Sequence, residues 1–203
     1  MAALTAPRTY APAKIQLELP NQPCALAWVG DALVAATYDY VEAEGTRVGG
    51  LCLLRGTEIA ATLELRGGYA LVPRGSQLAV ATADGRLALV DVAETLTLSK
   101  VSEPKGHLFT DVVWDGPDAL IVAEGDSGRV SRWRAADGLA ETHAWDAHTY
   151  APGCPAEVWC VGRDPSTGLY VSGADDGLLK GLSLIHISEP TRLRRISYAV
   201  FCL

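Results

Sequence analysis

The sequence contains no apolar run approaching the roughly 20 residues that cross a bilayer, which excludes a helical membrane anchor. The N-terminal stretch M-A-A-L-T-A-P-R-T-Y-A-P-A-K is interrupted by Pro7 and Pro12 and lacks the continuous apolar core of a secretory signal. A soluble, cytoplasmic chain with no membrane partner is the expectation. The five cysteines, Cys24, Cys52, Cys154, Cys160 and Cys202, are odd in number and include no C-x-x-C pair, so reduced and mostly buried thiols are expected. No G-x-S-x-G elbow occurs, which excludes an α/β-hydrolase nucleophile. No helix-forming stretch follows Gly49-Gly50 or Gly67-Gly68, so neither pair is a phosphate loop. His143, His148, Cys154 and Cys160 have no compact zinc spacing, and neither a metal nor a cofactor is expected.

Basic charge is also scarce. The formal net charge is −7, and it becomes −9 when the last 22 residues, with Arg192, Arg194, Arg195 and Glu189, are set aside. An acidic surface of this kind repels a phosphate backbone, so a nucleic acid is not an expected partner and a basic protein surface fits better.

What is present is a series of short apolar runs separated by Gly, Asp and Pro, without a sustained 3.6-residue period. The runs group into threes: 24–29, 31–37 and 49–55, with an acidic loop Asp39 to Thr46; 69–72, 77–82 and 83–92; 109–114, 119–124 and 125–134; 157–162, 168–173 and 174–181. Segments 63–66, 96–100 and 141–145 fit a fourth, outer strand. The turn residues Asp84, Asp126 and Asp176 lie 42 and 50 residues apart, which brackets the roughly 40–45-residue period of a propeller blade. The expected fold is all-β: a partial β-propeller of about four blades, the last incomplete, spanning 16–181 as an open arc. Residues 1–15 are expected to be flexible. The competing architecture, a generic β-sandwich of short strands, does not demand an Asp turn at the same place in each unit.

The repeats resemble WD-repeat blades. In that family a His before the first strand, a Ser or Thr in the second, a turn Asp and a Trp in the third form a buried hydrogen-bond chain. His148, Ser172 and Asp176 match three of these places, and the fourth falls on Leu182. The third unit has Trp133, separated from Asp126 by one extra residue, and the second has the turn residue Asp84 with Val90-Asp91 in place of Trp-Asp. Asp175, beside Asp176, is a candidate rim carboxylate. No catalytic residue is assigned from the sequence.

W-D-A-H at 145–148 followed by Y-V-S-G-A-D-D-G-L-L-K-G at 170–181 is similar to the diphthine methyl ester hydrolase family of diphthamide biosynthesis. A-A-T-Y-D-Y followed by G-L-C-L-L-R resembles that family's first blade, and Ala174 departs from its usual Gly. The resemblance implies hydrolysis of the methyl ester of methylated diphthine, with elongation factor 2 as the protein substrate. The alternative is a non-catalytic WD-repeat scaffold. After Gly181 the pattern stops, and 182–203 resemble a translated sequencing adapter: L-S-L-I-H-I-S-E-P-T-R in one part, I-S-Y-A-V-F-C-L in another, with Leu193, Arg194 and Arg195 between. That resemblance implies a non-native C-terminal tail on a truncated chain without activity of its own.

Overall fold

The computed structural model describes residues 16–136 and 138–183. They contain no α-helix, and their strands build four antiparallel sheets. The first sheet is β1 (Gln22–Val29), β2 (Ala32–Val41), β3 (Thr46–Arg55) and β4 (Glu58–Glu64). The second is β5 (Gly68–Arg74), β6 (Gln77–Thr82), β7 (Leu87–Val92) and β8 (Leu96–Val101). The third is β9 (Phe109–Trp114), β10 (Ala119–Glu124), β11 (Arg129–Arg134) and β12 (Ala140–Asp146). A short hairpin, β13 (Thr149–Ala151) with β14 (Cys154–Pro155), precedes the last sheet of β15 (Val158–Arg163), β16 (Tyr170–Ala174) and β17 (Leu179–Leu182). Each sheet is a meander in chain order, and the sheets form a four-bladed propeller arc. The expectations for 1–15 and for all of the tail but Leu182 and Ser183 lie outside the described residues.

Because side chains alternate across a strand, each sheet has two apolar faces, one toward the preceding sheet (front) and one toward the next (back). The back of sheet 1 (Val34, Ala36, Leu51, Leu53) packs on the front of sheet 2 (Leu78, Val80, Ala88, Val90). The back of sheet 2 (Ala79, Ala81, Leu87, Leu89) meets the front of sheet 3 (Leu120, Val122, Trp133). The back of sheet 3 (Ile121, Ala123, Val130) meets the front of sheet 4 (Val161, Tyr170, Leu182). Fully burying one such Val or Leu stabilises by about 1.5–3 kcal/mol, so these three seams dominate the cohesion of the arc. Among the described residues the cores are these three for four sheets, and no core joins sheet 4 to sheet 1. The arc is open.

Polar bridges reinforce the seams. The Arg47 guanidinium donates to the Ala83 carbonyl between sheets 1 and 2. Lys100 donates to the Ala135 carbonyl at 2.8 Å between sheets 2 and 3. The Asp111 carboxylate accepts the Val161 amide at 2.9 Å between sheets 3 and 4.

Three expectations are corrected. The acidic loop Asp39 to Thr46 is half strand: the ladder continues through Asp39↔Val48, Tyr40↔Arg47 and Val41↔Thr46. Its aromatic and β-branched residues favour extended backbone, and only Glu42 to Gly45 turn. The outer strand of sheet 1 runs Glu58–Glu64 rather than 63–66, because the tight Gly56-Thr57 turn returns the chain at once to pair with β3. The thiols are not mostly buried: Cys52 is, but Cys24, Cys154 and Cys160 are exposed, two of them at strand starts or in the short hairpin and Cys160 on the uncovered back of sheet 4.

Candidate functional site

The seam between sheets 3 and 4 gathers the residues singled out by the sequence. Strand β12 ends at Asp146, and the following Ala147 and His148 amides both donate to the Gly128 carbonyl, at 3.0 and 2.8 Å. Gly128 adopts a left-handed φ of 72°, and a Cβ there would stand 2.3 Å from the His148 carbonyl oxygen, so only glycine lets the two segments meet. This latch drops the His148 ring into the seam, where it is 2% exposed. Its Nδ1 lies 2.9 Å from Asp176 Oδ2, and its Nε2 lies 2.9 Å from Ser172 Oγ.

The partners fix the proton positions. Nδ1–H donates to the carboxylate, and Nε2 accepts the Ser172 hydroxyl proton. Burial pushes the His148 pKa down against the pull of Asp176, which keeps the ring neutral. Burial acts to raise the Asp176 pKa, but the His148 bond, the Leu178 amide and the Lys180 ammonium outweigh it, and the carboxyl sits below its ordinary value. The Lys180 ammonium also donates to the Ala147 carbonyl at 2.6 Å, closing the circuit onto the latch. Trp145 packs against Tyr170 with ring centroids 5.7 Å apart.

The order Ser–His–Asp matches that of a nucleophile relay, but Ser172 is 1% exposed in the middle of β16 and no substrate carbonyl can reach its oxygen. The chain is a structural lock. Leu182 pairs with Tyr170 as Trp133 pairs with Leu120, so it stands where the blade pattern puts a tryptophan and supplies no N–H to the lock.

The other sequence candidates do not join this group. Trp133 is 3% exposed in the seam between sheets 2 and 3, donates its indole N–H to Ser131 Oγ at 2.8 Å, and packs edge-on against Phe109. Asp84 stays within its own hairpin, accepting the Thr82 hydroxyl at 2.7 Å and pairing with Arg86 at 3.1 Å. Asp126 is exposed in a 3-10 turn and takes no part in a lock. Its expected role passes to Glu124, wholly buried, whose carboxylate faces His107 Nε2 at 3.0 Å. Burial acts to raise Glu124, but the His107 and Ser131 bonds and the Arg129 guanidinium hold its carboxyl below the ordinary value. The Gly106-His107 dipeptide is the sequence signal for this second lock, masked because a Glu at the end of β10 stands in for the turn Asp of the blade pattern.

Two exposed regions carry polar chemistry. Beside the lock, Asp175 accepts the Trp159 indole N–H at 2.6 Å and lies near the Tyr150 phenol, and its amide donates to the Glu157 carbonyl at 2.9 Å. This rim joins carboxylates to half-exposed aromatic rings. Between the outer strands of sheets 1 and 2 lies a cleft of about 780 Å³ lined by Thr37, Arg47, Gly49, Glu64, Thr82 and Arg86. Its guanidiniums suit a carboxylate or oxyanion, though Arg47 and Arg86 already hold Ala83 and Asp84. Of the four metal candidates, His143 packs edge-on against Trp145, His148 is held in the lock, and Cys154 and Cys160 are exposed. Among the described residues no three His, Cys, Asp or Glu side chains converge on a cation site, and no helix is long and apolar enough to cross a membrane.

No family model and no curated protein matches the chain. Among solved structures it is similar to the computationally designed Ika4 protein, with a TM-score of 0.62 at 16% identity over 85% of this chain and 98% of that one. It is also similar to the computationally designed Ika8 protein, with a TM-score of 0.58 at 15% identity over 85% of this chain. The likeness is one of fold. The chain spans 62% of the Ika8 design, which therefore continues past the matched part.

Proposed function

We propose that this chain carries the first blades of a diphthine methyl ester hydrolase, acting on methylated diphthine of elongation factor 2 in the cytoplasm. The observation that supports the reading is the convergence of the family-like residues: W-D-A-H and Y-V-S-G-A-D-D-G, far apart in sequence, form one packed unit through Trp145 on Tyr170 and His148 between Ser172 and Asp176. Hydrolysis requires a base to activate water and donors for the oxyanion. The buried lock cannot supply the base. In this reading it positions the rim that holds Asp175, and the catalytic water belongs to a ring completed by further blades.

The test is methanol release from methylated diphthine on elongation factor 2. A chain that continues past Gly181 with further blades is expected to release it, and the 203-residue chain is not. A folded, completed propeller that releases none overturns the reading.

The exposed rim favours a second reading, a non-catalytic scaffold that binds a basic protein surface through Asp175, Glu157, Tyr150 and Trp159. Binding of a basic partner that is lost on Asp175→Lys, without ester hydrolysis, is the outcome expected from it.

A further inference from the structure

The sheet registers give each position an equivalent in every blade, and the equivalents differ sharply in exposure at the two ends of the arc. On the front, Leu33, Leu78, Leu120 and Tyr170 occupy one position. Leu78 and Leu120 are fully buried and Tyr170 nearly so, while Leu33 on the first sheet is only half-buried. Beside Leu33 on that face, Trp28 is 65% exposed and Leu26 62% exposed, while Ala35 and Cys52 at its centre are buried, so the exposed part of the front lies along β1 and the start of β2. On the back, Leu87, Val130 and Leu179 occupy one position. Leu87 and Val130 are fully buried, and Leu179 on the last sheet is 42% exposed, with Trp159 also 43% exposed.

The two uncovered faces are therefore the two halves of the pairing that the chain already makes three times, back of one sheet onto front of the next. Trp28 shows the match in detail. Its equivalent on sheet 3 is Trp114, since both pair with the front-face leucine of β2 or β10. Trp114 lies against Arg74 of sheet 2, the guanidinium carbon 3.5 Å from the ring centroid, and donates its N–H to the Val72 carbonyl. The place of the Arg74–Gln77 turn on sheet 4 is taken by Asp164 to Leu169. Leu169 is an exposed leucine there, in reach of an incoming indole.

We propose that the front of sheet 1 docks on the back of sheet 4 of a second copy of this chain, so that two copies close head to tail around one axis. A head-to-tail contact repeated twice with closure covers Trp28 and Leu26 at one end and Leu179 and Trp159 at the other, all of which an isolated copy leaves in water. The proposal stands apart from the hydrolase reading, which concerns a chain with further blades.

The experiment measures the mass of the full chain in solution by light scattering across a concentration series, for the wild type, Trp28→Lys, Leu179→Lys, and an equimolar mixture of the two variants. The wild type is expected at twice 21.5 kDa. Each variant alone loses both contacts and is expected as a monomer with unchanged circular dichroism, since both side chains face solvent in the single copy. The mixture regains association, because the intact back of one variant meets the intact front of the other. Leu26→Lys with Val171→Lys repeats the design should either first variant fail to fold. A monomeric wild type, association that survives both substitutions, a mixture that stays monomeric, or open-ended assembly beyond two copies overturns the proposal.

Discussion

At the scale of single residues, His148 is the side chain on which the seam between sheets 3 and 4 depends. Ser172→Ala leaves Nε2 of a buried imidazole without its donor, and loss of about 1–3 kcal/mol is expected in urea unfolding. Asp175→Ala, one residue from the lock but exposed, is expected to change stability by no more than about 0.5 kcal/mol. The two measurements separate the structural carboxylate from the rim carboxylate. The lock also sets a pH dependence. His148 is depressed in the fold, so below its ordinary value of 6.5 the unfolded chain binds more protons than the folded one and stability falls with pH. Asp176, also depressed, keeps its stabilising charge at those pH values and loses it only in stronger acid, through its folded value. Thermal midpoints should decline from pH 7 to pH 5, and His148→Gln, which can donate to Asp176 and accept from Ser172 without titrating, should flatten that decline. An unaltered slope in this variant would place the acid sensitivity elsewhere.

At the scale of the element, β17 and the turn before β11 are the informative pieces. Leu182→Trp restores the ring that Trp133 supplies one blade earlier, at a position only 8% exposed and beside the Ser172 hydroxyl. A gain of about 1 kcal/mol in unfolding free energy is expected from one added hydrogen bond. A loss instead would mean that the seam is already filled. Gly128→Ala should cost about 2 kcal/mol or more by the same measurement, since it strains a left-handed backbone and drives a methyl group into the His148 carbonyl. Much at this scale was legible in the sequence. Strands β9, β10 and β6 lie at their expected bounds, because four to seven apolar residues between Gly, Asp and Pro leave little choice. The three-member lock was readable from the spacing of His148, Ser172 and Asp176. The Glu124–His107 lock was not, because the acid had moved from the turn into the end of a strand, and spacing alone does not say which carboxylate folds inward. The hairpin β13–β14 was also missed, since two paired positions in seven residues leave no periodic signal.

At the scale of the whole molecule, the arc behaves as a linear stack in which each sheet is held only by its neighbours. The interior sheets have both faces covered and the terminal ones have a single seam each. Amide exchange should therefore be slowest in β6, β7 and β10 and fastest in β17, and uniform protection across all four sheets would contradict the stack picture. The open arc itself followed from counting blades, whereas the covered and uncovered faces became distinguishable only from registers, since each strand of a blade reads as apolar on both sides. One irregularity of the stack offers a practical opening. The β2–β3 hairpin runs ten residues per strand where the corresponding strands of sheets 2 and 3 run six, and its tip, Glu42 to Gly45, is exposed. An affinity tag or a fluorophore-bearing loop inserted at that tip would sit beyond the four-sheet stack and report on assembly without touching either uncovered face.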